Sequence, residues 1–189
     1  MFQFLEEDQK LLLSIARNAV QSQLSNNSFQ LPEIRQGIGS EPHGVFVSIH
    51  RGNELRGCIG HIMPDQPLYR TTARCAVAAA TSDPRFAPVT LDELPRVSFE
   101  LSVLSSPEQV RNVEDIEVGK HGLIVSKGST HGLLLPQVAV QYRWDRTQFL
   151  AETCMKAGLQ PNAWKEGADV RRFTAAVFSE KNVHQPATL

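Results

Sequence analysis

Val45-Phe46-Val47-Ser48-Ile49 runs through Arg51-Gly52-Asn53-Glu54 into Leu55-Arg56-Gly57-Cys58-Ile59-Gly60. The first segment reads as a strand, the Gly-Asn pair as a hairpin turn and the last segment as the returning strand. Downstream, Met63-Pro64-Asp65-Gln66-Pro67 opens a helix from about Leu68 to Thr81, rich in alanine and suited to close packing. Asp83-Pro84-Arg85-Phe86 then turns, because proline restrains Asp83 away from helical geometry. Val97 to Leu104 alternates apolar and polar residues, which predicts a half-buried strand. Upstream, Leu12, Ile15, Ala16, Ala19 and Val20 mark an amphipathic helix from about Glu7 to Leu24. Ser25-Asn26-Asn27-Ser28 stops it, and a polar loop continues to about His43. Hairpin strands and helices without regular βαβ crossovers predict an α+β fold, mixed or antiparallel sheets with packed helices.

Further strands are expected at Leu123-Ile124-Val125 and Leu133-Leu134-Leu135, joined by Lys127-Gly128-Ser129-Thr130. Pro136 breaks the second, which sets Gln137 beyond a sheet edge in a turn. Asp145 begins a helix with Gln148 three residues on, as in a capping box, and Leu150, Cys154 and Ala157 along one stripe. Gly158 is placed to end it. Val170 to Phe178 reads as one last strand, and Glu180 to Leu189 as a polar tail that adds little. The domain is therefore set at residues 1–180 and the tail at 181–189.

A chain of 189 residues supports one good core, divisible into two lobes. Its net charge of −1 gives no electrostatic case for nucleic acid or for an anionic membrane. No apolar run approaches the roughly 18 residues of a spanning helix. The start, Met1-Phe2-Gln3-Phe4-Leu5-Glu6-Glu7-Asp8, lacks the basic and apolar regions of a signal peptide. Cys58, Cys75 and Cys154 are widely spaced and odd in number, which argues for reduced thiols in a cytoplasm. Gly-x-Gly-x-x-Gly, P-loop, Gly-x-Ser-x-Gly, His-Glu-x-x-His and Cys-x-x-x-Cys-x-x-Cys patterns are all missing, so nothing calls for a cofactor.

Cys58 stands between Gly57 and Gly60, which leave room for backbone or a ligand to come close. In an extended chain Arg56 leaves the same face as Cys58, and its guanidinium favours a thiolate and an anionic partner. The competing role is a small apolar filler, common for free cysteine. His61 is a candidate base three residues on, and Cys58-x-x-His61 is half of a metal-binding pair. A closed zinc site needs about four ligands and no second pair exists, so no metal site is expected. His121, between Gly119 and Gly122, is a proton-shuttle candidate or a turn-fixing ring. Glu100 either faces water with Ser98 and Ser102 or, if buried, pairs with Arg56 or Arg85. Arg85 points outward as an anion fork, and Gln137 is a candidate amide contact.

These blocks together resemble the AMMECR family, found in all domains of life, whose bacterial and archaeal members are known as protein A of the AmmeMemoRadiSam system. The hallmark Leu-Arg-Gly-Cys-Ile-Gly is intact at Leu55 to Gly60. Asp83-Pro84-Arg85-Phe86, Glu100-Leu101-Ser102-Val103-Leu104, Gly119-Lys120-His121-Gly122 and Leu133-Leu134-Leu135-Pro136-Gln137 follow in the same order. So do Trp144, Cys154-x-Lys156-Ala157-Gly158 and Trp164. Gln141 stands where relatives often carry glutamate, and Arg143 where glycine is common. The resemblance implies two unequal subdomains with the hexapeptide beside the cleft between them. It also implies two partners, a Memo-like protein and a radical SAM protein.

The expected function is thus an accessory or substrate-handling protein. In that reading Arg56, Gly57, Gly60, His61, Arg85, Glu100 and Gln137 surround a small polar or anionic ligand, and Cys58 and His121 carry any chemistry. A stand-alone cysteine-dependent transferase or hydrolase, or a protein-interaction module, are the alternatives.

Overall fold

The computed structural model describes residues 4–63 and 65–183. Pro64, the first three residues of the chain and residues 184–189 of the expected tail lie outside the described residues. In chain order the elements are α1 (Glu6–Leu24), β1 (Val45–Arg51), β2 (Glu54–His61), α2 (Leu68–Thr81), β3 (Ser98–Leu104), β4 (Glu108–Gln109), β5 (Gly122–Lys127), β6 (Thr130–Leu134), α3 (Pro136–Gln141), α4 (Arg146–Lys156), β7 (Asp169–Phe173), β8 (Ala175–Ser179) and α5 (Glu180–Val183). The strands form two sheets, ordered β2-β1-β3-β8 and β4-β7-β5-β6, and every pairing with a defined register is antiparallel. The fold is α+β. The chain divides into two unequal units, one holding it through Val103 and again from Ala176, the other holding Leu104–Ala175.

In the first unit, the hairpin closes through Gly52, whose φ of +63° is the left-handed geometry a tight turn asks of glycine. Val45, Val47 and Ile49 alternate inward along β1 with Phe99, Leu101 and Val103 along β3, all fully buried. α2 packs on β1 and β2, and α1 packs on α2. Gly57 is what lets α2 come so near: a Cβ there would sit 2.2 Å from the Ala79 carbonyl oxygen. Cys75 belongs to the buried face of α2, as its helical spacing predicts.

Glu180 corrects the expectation of an inert tail. Its carboxylate accepts two hydrogen bonds from Arg17, both 2.6 Å, and one from the Phe99 N–H at 2.9 Å. Arg17 also donates to the carbonyls of Leu94 and Val97, which ties α1, β3 and the start of α5 together. No periodicity marks such a pair, because its members stand 163 positions apart in sequence.

The second unit packs α3 and α4 against β5 and β6 around Ile116, Leu123, Ala139, Phe149 and Leu150. Val125, Cys154 and Ala163 form a smaller cluster. Asp145 caps α4 by accepting the Gln148 N–H at 2.8 Å. Gly132 lies against α4, where a Cβ would come 2.4 Å from the Ala157 backbone nitrogen.

Two expectations change here. Val170 to Phe178 is not one strand: Thr174 interrupts it, and β7 and β8 belong to different sheets. The loose alternation across that stretch reflects two sheets with separate inward faces. Gln137 is not in a turn beyond a sheet edge but in the first turn of α3, with Pro136 at the helix start. Proline fits there because the missing N–H is one the helix leaves unpaired anyway.

α1, α3 and α4 end the same way. Asn27, Trp144 and Leu159 each donate a backbone N–H to the carbonyl five residues back, and Asn26, Arg143 and Gly158 each donate to the carbonyl three back. This is the Schellman arrangement. Its left-handed residues have φ of +54° at Asn26, +55° at Arg143 and +74° at Gly158.

Candidate functional site

Cys58 lies on β2, an edge strand of the first sheet, and its side chain is half-buried. Its backbone N–H donates to Asp83 Oδ2 at 2.8 Å, and its carbonyl accepts from Arg85 Nη2 at 3.3 Å. The Asp83-Pro84-Arg85 turn therefore supplies the polar partners that an exposed strand edge lacks. Arg85 Nη2 and Nε also grip the Asp83 carboxylate at 2.7 and 3.0 Å. Those bonds hold the Asp83 carboxyl far below the ordinary carboxylate range, and burial only partly opposes them.

Arg56 behaves differently from its expected role. The β1–β2 register shifts between Ile49 and His50, which leaves Arg56 without a cross-strand partner, as at a β-bulge. A bulge interrupts simple alternation, so the two-residue offset from Cys58 does not place the two side chains as a pair. The guanidinium is committed elsewhere: to Glu93 at 3.2 and 3.0 Å, to the Ala87 carbonyl at 2.6 Å and to the Pro88 carbonyl at 3.1 Å. Arg56 pins the loop after α2 and in turn depresses the Glu93 pKa. Neither arginine pairs with Glu100.

The sheet face turned away from α2 carries the uncommitted chemistry. Ser48 stands directly opposite Cys58 on one side and Glu100 on the other. Cross-strand neighbours of this kind have Cβ atoms about 4.5–5.5 Å apart. A row Cys58–Ser48–Glu100 results, and the Ser48 hydroxyl donates to Cys58 Sγ at 3.3 Å. His50 opposite Ser98 forms the next rung. Beside it opens a cavity of about 210 Å³ lined by His50, Gly52, Asn53, Ser98, Glu100, Ser179 and Lys181. Ser102, expected to face water, is buried, so this face is not a uniformly solvated one. Gly60 completes the row below, where the Phe46 ring lies across it and a Cβ would meet Phe46 Cδ1 at 2.2 Å.

The remaining candidates separate. His61 is an odd number of residues from Cys58, so the pleat sends it to the opposite face. Its Nε2 lies 2.9 Å from Asp65 Oδ1. His121 and Gln137 belong to the second unit. The His121 Nδ1 accepts the Glu117 N–H at 2.9 Å, and burial above all holds the ring's pKa below its ordinary value, aided by Arg172 and Lys120. That is the turn-fixing arrangement. A second cavity, about 220 Å³, is lined in this unit by Trp164, Leu150 and Asp169 among others, but Asp169 is already bonded to Arg171 and Gln109.

The AMMECR1 family model matches residues 13–178. The chain belongs to the AMMECR1 family. A Methanosarcina barkeri protein is 44% identical over 180 residues, covering 89% of this chain and 88% of its own. A Pyrococcus furiosus protein is 41% identical over 198 residues, covering 98% and 94%. The crystal structure of an uncharacterized Pyrococcus horikoshii protein is 41% identical, with a TM-score of 0.88 over 98% of this chain and 97% of that one. Within this AMMECR1 chain much of the hallmark sequence has an architectural explanation: Gly57 admits α2, Arg56 anchors a loop, and Asp83 and Arg85 close a strand edge. What architecture does not absorb is Cys58, Glu100 and His50. Ser98 shares Glu100's face by simple alternation, but His50 and Ser179 were missed from sequence because only strand pairing brings their strands beside β3.

Proposed function

We propose that this AMMECR1-family chain handles a small polar ligand on the open face of its first sheet, with Cys58 contacting it, as an accessory or substrate-handling protein. The observation that supports this is the division of labour among polar groups. Asp83, Arg85, Arg56 and Glu93 are bonded into the frame, whereas Glu100 and His50 have no hydrogen bond or ion pair among the described residues. A cysteine nucleophile needs a base within hydrogen-bond reach, and the groups against the Cys58 thiol are the Ser48 hydroxyl at 3.3 Å and the Arg85 guanidinium, neither of them a base. The geometry thus favours binding over a cysteine-dependent enzyme acting alone. A Memo-like protein and a radical SAM protein, the partners implied by family likeness, belong to this proposal. Cytoplasmic residence belongs to it too, supported by three unpaired thiols.

Alkylation tests it. Iodoacetamide labels Cys58 in the folded protein, and a low-molecular-weight extract of the producing cell slows that labelling if a ligand covers the thiol. Unchanged labelling across concentrated extracts overturns the reading. Co-precipitation with a Memo-like protein, lost in Cys58→Ser or retained, decides whether the thiol also serves the partner.

A further inference from the structure

We infer that the cavity beside the Cys58–Ser48–Glu100 row takes a small zwitterion of the amino-acid class, its ammonium on Glu100 and its carboxylate on Lys181. This rests on the functional reading above and names the ligand class. The cavity, at about 210 Å³, falls below the roughly 300–1,000 Å³ of sites for drug-sized ligands, so its occupant is small. Six of its seven lining residues bring polar side chains, so the occupant is polar throughout.

Charge then narrows the class. Glu100 is half-buried on β3, and no donor engages its carboxylate among the described residues. A partly desolvated carboxylate without a cation is costly, and an incoming ammonium relieves that cost. Lys181 lines the same cavity, and its ammonium donates to the neutral Gly52 carbonyl, with no carboxylate paired to it among the described residues. The two charges do not pair with each other, although a salt bridge would form if they were close enough. They stand as separate poles of one cavity. A simple anion meets Glu100 repulsion there, and a simple cation meets Lys181 repulsion. A molecule carrying both charges satisfies both poles.

The neutral groups fit the same occupant. Asn53, Ser98 and Ser179 present an amide and two hydroxyls, none bonded elsewhere through its side chain among the described residues. Ser179 is buried as a residue yet lines the cavity. His50 adds an uncommitted imidazole on the rung next to Glu100. Cys58 is not one of the lining residues; it stands two strands along the row from Glu100, with Ser48 between them.

Calorimetric titration of the full chain with glycine, L-alanine, L-serine and L-leucine tests this, with N-acetyl-L-alanine and L-alaninamide as probes that each lack one charge. At least one free amino acid is expected to bind saturably at millimolar concentration or below. The blocked probes are expected to bind about tenfold or more weakly, the loss of one charge-assisted contact. Glu100→Gln should abolish discrimination against N-acetyl-L-alanine, and Lys181→Met discrimination against L-alaninamide, while Lys181→Arg preserves it. Unchanged circular dichroism of each variant establishes that it folds. No binding of any free amino acid, or binding unaltered by both charge-removing variants, overturns the zwitterion assignment. If the cell extract still protects Cys58 from alkylation, the ligand-handling reading stands and the ligand class is wrong; if it does not, both fall.

Discussion

Asp83 stands in for a neighbouring strand at Cys58, its Oδ2 accepting the Cys58 N–H at 2.8 Å while Arg85, held by the same carboxylate, donates to the Cys58 carbonyl at 3.3 Å. Two side chains on a proline-fixed turn thus do for an edge residue what a whole strand does for a central one. Residue 58 is thus held in place through its backbone, while its sulfur meets the Ser48 hydroxyl at 3.3 Å.

Removing that carboxylate should be costly. The Asp83 side chain is 2% exposed, whereas Arg85 is 56% exposed and recovers water when its partner goes. Asp83→Ala is expected to lose about 2–3 kcal/mol, toward the lower end for a broken buried pair. Urea unfolding measures it, and hydrogen exchange at the Cys58 amide should accelerate. The pH dependence follows from the sign of the shift. A carboxyl with a depressed folded pKa contributes stability above the unfolded value of about 3.9, lost as pH falls toward the folded value. Asp83→Ala should therefore flatten the acid limb of the stability curve.

The three thiols should react unequally. Burial pushes the Cys75 thiol up to about 11 and raises Cys154 as well, and both side chains are buried. Native iodoacetamide labelling at neutral pH should modify Cys58 and leave the other two until the protein unfolds. Cys58→Ser should change stability by less than about 1 kcal/mol, because a half-buried thiol fills little core. Labelling of Cys75 ahead of Cys58 would contradict this ordering, and mass mapping of the adducts decides it.

Most of the frame was legible in residue order. The alternation over Val97 to Leu104 and the spacing over Leu68 to Thr81 give β3 and α2 because local periodicity is what a sheet face and a helix stripe require. Glu100's cross-strand neighbours were not legible, since register is set by non-local pairing and by the bulge at Arg56. The bulge also defeats the two-residue rule that linked Arg56 to Cys58. Position along the chain located the thiol, but the roles of the arginines depended on Glu93 and Asp83, whose approach is tertiary.

The two glycines of the hexapeptide should fail differently. At Gly57 a Cβ meets the Ala79 backbone carbonyl at 2.2 Å, and a helix backbone cannot step aside cheaply. Gly57→Ala should cost about 3 kcal/mol or more and resist rescue by neighbouring side-chain changes. At Gly60 the obstacle is the Phe46 ring. Gly60→Ala should therefore recover about 1–2 kcal/mol when combined with Phe46→Leu. A double-mutant cycle by denaturant titration measures that coupling, and strict additivity would refute the ring-over-glycine account.

His121 should titrate low and act as an acceptor. Its Nδ1 accepts the Glu117 N–H at 2.9 Å, which requires a ring unprotonated at that nitrogen. Its folded pKa lies below 6.5, so its contribution to stability is complete above the unfolded value and is lost as pH falls through the folded one. A proton-observed titration of the imidazole should place the midpoint below 6.5. His121→Ala, which orphans the Glu117 N–H, should cost about 1–2 kcal/mol, and His121→Asn, which offers an oxygen, should cost less.

Arg143 gives the chance to stabilise the protein. It occupies the left-handed position of the α3 cap at φ +55°, where Gly158 serves α4 and Asn26 serves α1. A Cβ in that region crowds its own carbonyl, and asparagine tolerates the strain better than arginine does. The Arg143 side chain is exposed, and its backbone N–H already makes the cap bond to the Val140 carbonyl at 3.1 Å. Glycine keeps that bond and removes the crowding, so Arg143→Gly should raise stability by about 0.5–1 kcal/mol even after the extra freedom of the unfolded chain is counted. The reverse change, Gly158→Arg, should lower it by a similar or larger amount. Both are read from denaturation midpoints. A fall on Arg143→Gly would mean that the arginine side chain holds a contact that outweighs the strain beneath it.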